Sequence, residues 1–290
     1  MPFKTKISEN TIGFLMRLYR NSPLHSYGLG RLLARLLSWV ILLRKKSLII
    51  KEINDVKYEL DLNEVIDSSL YFSGTFEQDV EQIISRCLRP GMCILDIGAN
   101  IGYHTFRMAK IAGEGGHVYA IEPTQWAFNK LLRNASLNTG ITNITFSKVG
   151  LSDSNTGEVS LYFQSSYRLN GKQIYSTENI ELLTLDKYIS RNNIDRVDFV
   201  KMDVDGFEGK IIKGAEKSLM YMKPILLMEI NPSVMQLQGD EPADIVQILE
   251  KIGYTFETTL GEPIENFSDY LYKELQRSIM ILAIPSQSPT

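Results

Sequence analysis

The chain has 290 residues, 44% of them hydrophobic and 22% charged, with a net charge of −3. This ordinary globular composition gives enough chain for a sizeable core without disulfides, and there is no internal repeat or low-complexity tract. The charge is unevenly spread: residues 1–51 carry ten Lys or Arg and one acid, Glu9, so the remainder is an acidic body that argues against nucleic acid as a partner. Cys87 and Cys93 match no metal spacing and make a poor disulfide, so both are expected as reduced, buried small hydrophobes in a reducing compartment.

In chain order, residues 1–50 form a basic amphipathic extension, expected as two helices broken near "NSPLHSYGLG" (21–30). Within it, "LLARLLSWVILL" (32–43) is followed by "RKK" (44–46). It is too short to span a bilayer, starts too late for a signal peptide and lacks a cleavage site. Residues 28–46 are therefore expected to lie against an anionic membrane surface, or to pack on the body or on a partner chain. The expected location is the cytoplasm, peripheral on the inner face of a membrane if that stretch binds lipid. The body, 51–290, opens with two short strands about Asn54-Asp55, a hairpin pattern, and then a helix from Phe76 to Cys87 that "RPG" ends.

Strand and helix patterns then alternate. Strands are expected at 92–97, 117–122, 143–149, 197–203, 224–230, 254–259 and 278–284. Helices are expected at 102–112, 125–138, 208–220 and 242–252. Such alternation implies an α/β fold with a mostly parallel sheet covered on both faces. The last two strands have no clear helix between them and are expected to pair antiparallel. The polar stretch 163–179 reads as a surface loop or as a flap over an acceptor.

"CILDIGANIGYHT" (93–105) reads as a buried strand, a glycine-rich turn and a helix. Gly98 and Gly102 are expected to remove side chains where backbone approaches a ligand. A dinucleotide turn wants G-x-G-x-x-G, but Asn100 replaces the central glycine and a carboxylate, Asp96, stands at the strand end. That charge would repel a pyrophosphate, which weighs against a nicotinamide-dependent oxidoreductase. The second strand ends in Glu122, where an acid is the usual partner of ribose hydroxyls. S-adenosyl-L-methionine fits both acids, having a ribose, an ammonium and a sulfonium but no phosphate.

The chain resembles the FkbM-type S-adenosylmethionine-dependent methyltransferases over about residues 70–255. The resemblance rests on "GTFEQ" (74–78), "LDIGANIGYHT" (95–105), "AIEPTQWAFNKLLRNASLN" (120–138), "VGLSD" (149–153), "TLDKYI" (184–189), "VDFVKMDVDGFEGKIIKGA" (197–215) and "PILLMEIN" (224–231). Asp205 stands where the family usually has Glu. The resemblance implies a class I methyltransferase, Rossmann-like fold with a seven-stranded sheet, and methyl transfer to oxygen of a glycan or related secondary metabolite. On its motifs, the cofactor contacts fall at Glu77, Asp96, Gly98, Ala99, Asn100, Gly102, Tyr103, Glu122, Pro123, Gly150 and Leu151.

An alcohol acceptor must lose a proton, which calls for a base within hydrogen-bond reach. Asp203 is the expected base or acceptor-orienting residue, with Lys201 tuning its charge and Glu229 as a further catalytic candidate. Strand alternation would put Lys201, Asp203 and Asp205 on one face if the strand runs that far. Glu208 reads at least as readily as a helix-start carboxylate, and His104 reads as a structural histidine ahead of a base. Asp203, Asp205 and Glu229 would make an oxygen-rich metal site, but nothing else points to a metal and none is expected. The other alternative is a membrane-recruited binding module without catalysis, against which the charges of "KMDVDGFE" weigh.

Overall fold

The structure, a computed structural model, describes residues 48–167, 173–273 and 278–286. The expected N-terminal helices, and the stretch 28–46 expected to meet a membrane, the body or a partner, lie outside the described residues. By contacts between backbone positions the chain divides into two units, 1–78 with 163–176, and 79–162 with 177–290. No helix among the described residues is long and apolar enough to cross a membrane.

The first unit opens with β1 (Leu48–Ile53) and β2 (Val56–Asp61), paired antiparallel with Ile53 opposite Val56. The hairpin read from Asn54-Asp55 is present, with φ of +52° and +58° at those two residues. A tight turn of this hand needs positive φ at both central positions, which Asn and Asp tolerate. A helix that the pattern did not announce follows, α1 (Val65–Ser73). Asp67 Oδ2 accepts the Asp61 N–H (2.5 Å) to tie it to the hairpin, and Gly74 at φ +72° closes it by donating to Leu70 O.

The second unit begins at the second residue of α2 (Gln78–Cys87), a helix that starts two residues later than expected from Phe76. Then come β3 (Cys93–Ile97), α3 (Tyr103–Ala112), β4 (His117–Ile121), α4 (Gln125–Leu137) and β5 (Ile144–Ser147). Next are β6 (Gly150–Leu151), β7 (Gly157–Tyr167) and β8 (Gln173–Leu183), a three-stranded sheet in the order β6-β8-β7. Much of 163–179, read as a surface loop or a flap, is therefore strand.

The chain continues through α5 (Leu185–Arg191), β9 (Phe199–Met202), α6 (Glu208–Lys213) and α7 (Glu216–Met222). The single helix expected at 208–220 is thus two. It ends with β10 (Ile225–Ile230), α8 (Pro232–Leu237), α9 (Pro242–Lys251), β11 (Tyr254–Thr258), α10 (Phe267–Lys273) and β12 (Ile279–Pro285). The main sheet has seven strands in the order β11-β12-β10-β9-β3-β4-β5. Strands β10, β9, β3, β4 and β5 are parallel, and β12 runs antiparallel to both β10 and β11. The expected antiparallel end is present, with a short helix, α10, between its strands.

Alternation along each central strand builds two cores. One face packs Leu95, Ile97, Val200, Met202, Leu226 and Met228 against α5, α6, α7 and α9. The other packs Ile94, Phe199, Leu227 and Leu282 against α2 and α3. Each buried aliphatic side chain contributes about 1.5–3 kcal/mol. Cys87 and Cys93 are free but only half buried, at the edges of these cores, so "buried" overstated them.

Candidate active site

Strand order reverses at β3. β4 and β5 follow on one side, β9 and β10 on the other. Ligands of open α/β sheets bind beyond the carboxyl ends of the strands at such a point. The face that carries Ile94, Phe199 and Leu227 continues, two residues on, into Asp96, Lys201 and Glu229. Register fixes their mutual positions: Asp96 lies beside Lys201, and Met228 lies beside Met202, so Glu229 is level with Asp203. Three adjacent strands thus deliver charged groups to one edge of an otherwise apolar face.

The turn after β3 has positive φ at Gly98 (+81°), Asn100 (+50°) and Gly102 (+91°). Asn at the middle position keeps the backbone conformation that a glycine would give. A Cβ at Gly98 would run into the Asp203 carbonyl oxygen, so the neighbouring β9 turn by itself requires glycine there. At Gly102 a Cβ would meet Leu131 Cδ1 (2.5 Å) and Phe106 Cε2 (2.6 Å), which is close helix packing.

Hydrogen bonding in the turn disfavours a phosphate. The N–H groups of Gly98 and Ala99 both donate to Ile121 O, Gly102 N–H donates to Ala99 O, and Asn100 N–H donates to Glu122 Oε2 at 2.9 Å. No amide of these four is left for an anion. Acceptors are what the turn offers: Asp96 Oδ1 and Asn100 Oδ1 are buried without a donor. Such atoms suit a cationic ligand rich in N–H and O–H groups, which S-adenosylmethionine is. Asp96 is 1% exposed, and its Oδ2 accepts the Thr105 hydroxyl at 2.5 Å. Glu122, just past β4, takes the N–H and hydroxyl of Thr124 on Oε1 (2.9 and 2.6 Å). Burial pushes its carboxyl upward, against the hydrogen bonds from Thr124 and Asn100.

Of the other expected cofactor contacts, Ala99 is buried in the turn and Pro123 is half buried beside Glu122. Tyr103 opens α3, but its hydroxyl donates to Glu81 on α2, and its ring edge meets His104. Gly150 and Leu151 form β6 and pair with Leu182 and Leu183 of β8. A Cβ on Gly150 would meet Leu182 Cδ2 at 2.5 Å. Glu77 belongs to the first unit, in left-handed backbone at φ +52°.

The strand reading needs one correction. β9 ends at Met202, and Asp205 stands exposed in a turn at φ +51°, so it does not continue the face of Lys201. Gly206 makes that turn, where a Cβ would meet Val234 Cγ1 at 2.7 Å. Among the described residues, no group of three or more His, Cys, Asp or Glu is disposed to hold a metal.

Lys201 is 2% exposed, and its Nζ donates to Asp203 Oδ2 at 3.2 Å. A buried ammonium requires such a partner. Burial pushes the Asp203 carboxyl up, but the Lys201 charge, hydrogen bonds from Glu229 and Lys201, and lastly His104 outweigh it, holding Asp203 below the usual carboxylate range. Glu229 moves the other way, to about 8, through burial, the Asp203 charge and the Asp203 hydrogen bond, with the Ser278 bond opposing. Its Oε1 accepts the Ser278 hydroxyl from just before β12. Thr105, Thr124 and Ser278 were not anticipated. The two threonines follow the acids or the glycine turn closely in sequence; Ser278 reaches Glu229 only through the β10–β12 pairing.

Glu208, at the start of α6, is buried, with Oε1 accepting the Val204 N–H at 3.1 Å and Oε2 without a donor. It braces the turn after Asp203. Burial raises its carboxyl from 4.5 to about 7. A raised carboxyl gives stability that is full below about 4.5 and is lost as pH rises through about 7. Glu208→Gln should therefore gain melting temperature on wild type as pH goes from 5 to 8. A difference that stays flat across that range would show that Glu208 titrates normally.

The sheet, its switch point and the charged carboxyl edge define a class I methyltransferase. Residues 96–256, more than half of the chain, match the Methyltransferase FkbM domain, and the chain belongs to that family. It is an S-adenosylmethionine-dependent methyltransferase. The hexuronic acid methyltransferase AglP of Haloferax volcanii is 27% identical over 194 residues, 66% of this chain and 75% of that protein. The crystal structure of an FkbM methyltransferase from Methylobacillus flagellatus is 18% identical with a TM-score of 0.43, over 75% of this chain and about half (54%) of that one. M. jannaschii TYW2 in complex with AdoMet is 16% identical with a TM-score of 0.42, over 83% and 86% of the two chains.

Proposed function

We propose that the protein is an O-methyltransferase that methylates a hydroxyl of a glycan or related secondary metabolite, with Asp203 as the base. The observation that carries this reading is a carboxylate kept ionised by a buried lysine beside the cofactor turn. A glycan acceptor is supported by the relative that is named for a hexuronic acid.

S-adenosylmethionine, when bound, supplies a methyl carbon on a sulfonium, whose departure as a neutral thioether needs no acid. The chain's task is alignment and proton removal. Asp96 and Asn100 offer their buried acceptor oxygens to the cofactor's N–H groups, and Glu122 takes its ribose hydroxyls. Asp203 accepts the hydrogen of the acceptor hydroxyl, and Lys201 holds Asp203 in place and charged.

The test is turnover of methyl-labelled cofactor with a panel of neutral and uronic-acid oligosaccharides, followed by mild alkali. Label on an alkali-stable ether supports the reading. Alkali-labile label marks a methyl ester on a carboxylate and overturns the hydroxyl assignment. On the binding side, Glu122→Ala should weaken S-adenosylmethionine by about 1.5–3 kcal/mol, roughly 10- to 150-fold, the worth of hydrogen bonds to a charged group. Unchanged affinity by calorimetry on the folded variant removes Glu122 from the ribose site.

A further inference from the structure

The first turn of α3 reaches Asp96 on one side and α2 on the other. Thr105 is fully buried, and its hydroxyl donates to Asp96 Oδ2 at 2.5 Å. A threonine in a helix can instead bond the carbonyl three or four residues back. Here both carbonyls are engaged: Gly102 O accepts the Phe106 N–H, and Ile101 O accepts Asn134 Nδ2 at 2.8 Å. The Thr105 hydroxyl goes to Asp96. On the opposite face of the helix, Tyr103 and Arg107 stand one turn apart and both hold Glu81 of α2. Arg107 also donates to Ser85 Oγ at 2.9 Å. The backbone of Asp96 is fixed in β3, between β4 and β9. Helix and strand are thus both held, and neither is free to shift and make up for a lost bond between them.

We propose that Thr105 is a positioning residue for the cofactor: by taking Asp96 Oδ2 it turns Oδ1 to the cofactor's ammonium. This deepens the proposed function and rests on its reading of Asp96 as a cofactor contact. Rotation about the last bond of an aspartate is broad and two-fold, so the carboxyl plane is set by whatever its oxygens bond. Oδ2 has Thr105, and Oδ1 is buried without a donor. A buried carboxylate oxygen is costly until a donor meets it, and an ammonium brings three N–H groups and a full charge. Lys201 does not fill that place. It is the register neighbour of Asp96, but its Nζ donates to Asp203. The neutral hydroxyl of Thr105 therefore orients Asp96 without supplying the positive charge that the cofactor brings. Thr105 touches no reacting atom, and no proton moves through it.

The experiment is calorimetry on the full-length protein with two ligands. S-adenosylhomocysteine keeps the ammonium, and methylthioadenosine lacks the whole amino-acid end. Thr105→Val swaps the hydroxyl for a methyl group of similar shape. It should weaken S-adenosylhomocysteine by about 10-fold or more, the worth of a hydrogen bond to a charged group. Thr105→Ser keeps the donor and should bind like wild type, a rescue that a merely space-filling threonine would not show. Methylthioadenosine should bind all three proteins alike. Unchanged S-adenosylhomocysteine affinity in Thr105→Val overturns the proposal. So does a loss in Thr105→Ser as large as in Thr105→Val, or an equal loss for the two ligands. If Thr105→Val does not fold, Thr105→Ala, which adds no bulk, is held to the same result. Asp96→Ala separates the two readings. If it weakens S-adenosylhomocysteine while Thr105→Val does not, only the positioning role falls. If it leaves the affinity unchanged, the reading of Asp96 falls, and the role of Thr105 with it.

Discussion

Asp203→Asn should cut methyl transfer by about 10²–10⁴, the usual worth of a positioned base, while S-adenosylmethionine affinity changes little. The substitution keeps size and shape and removes only the charge that accepts the proton. It also weakens the ion pair in which Lys201 Nζ donates to Asp203 Oδ2, so the variant should melt somewhat earlier than wild type. Near-normal turnover in folded Asp203→Asn would exclude it as the base.

Gly98→Val should be among the most destabilising single changes in the second unit, by more than about 3 kcal/mol, from overpacking and strained backbone together. Its side chain would be driven into the Asp203 carbonyl, and neither backbone is free to retreat. Asp203 N–H donates to Ile97 O at 3.1 Å, and Gly98 and Ala99 both donate to Ile121 O at 3.0 Å. Gly74 is the control, in left-handed backbone with φ +72° and ψ 9° and with open space where its Cβ would stand. Gly74→Ala should show only the cost of left-handed backbone, about 1 kcal/mol. Denaturant unfolding of Gly98→Ala, Gly98→Val and Gly74→Ala decides the matter. Equal losses at the two alanine positions would show that the close approach to Asp203 is not what requires glycine.

The sequence by itself determined the elements with strong periodicity and the cofactor. The alternation of apolar runs and amphipathic stretches gave β3, β4, β10, α3, α4 and α9 to within a residue or two, because both periods are local properties of the chain. Asn54-Asp55 gave the hairpin, and Asp96 with Glu122 at successive strand ends gave the cofactor, since acid type and strand end are both readable in one dimension. The short helices α1, α8 and α10 carry no such period, and only packing shows them. Tertiary structure alone decided the pairing of side chains from different strands. Asp205 looked continuous with Lys201 and Asp203 until β9 was seen to end at Met202. Gly98 also makes room for the backbone of Asp203, 105 residues further along the chain. Glu229 meets Ser278 and stands level with Asp203 because β10 lies between β9 and β12 in a fixed register. Strand neighbours and register arise from the sheet as a whole, so a contact between residues distant in sequence is written in no local pattern.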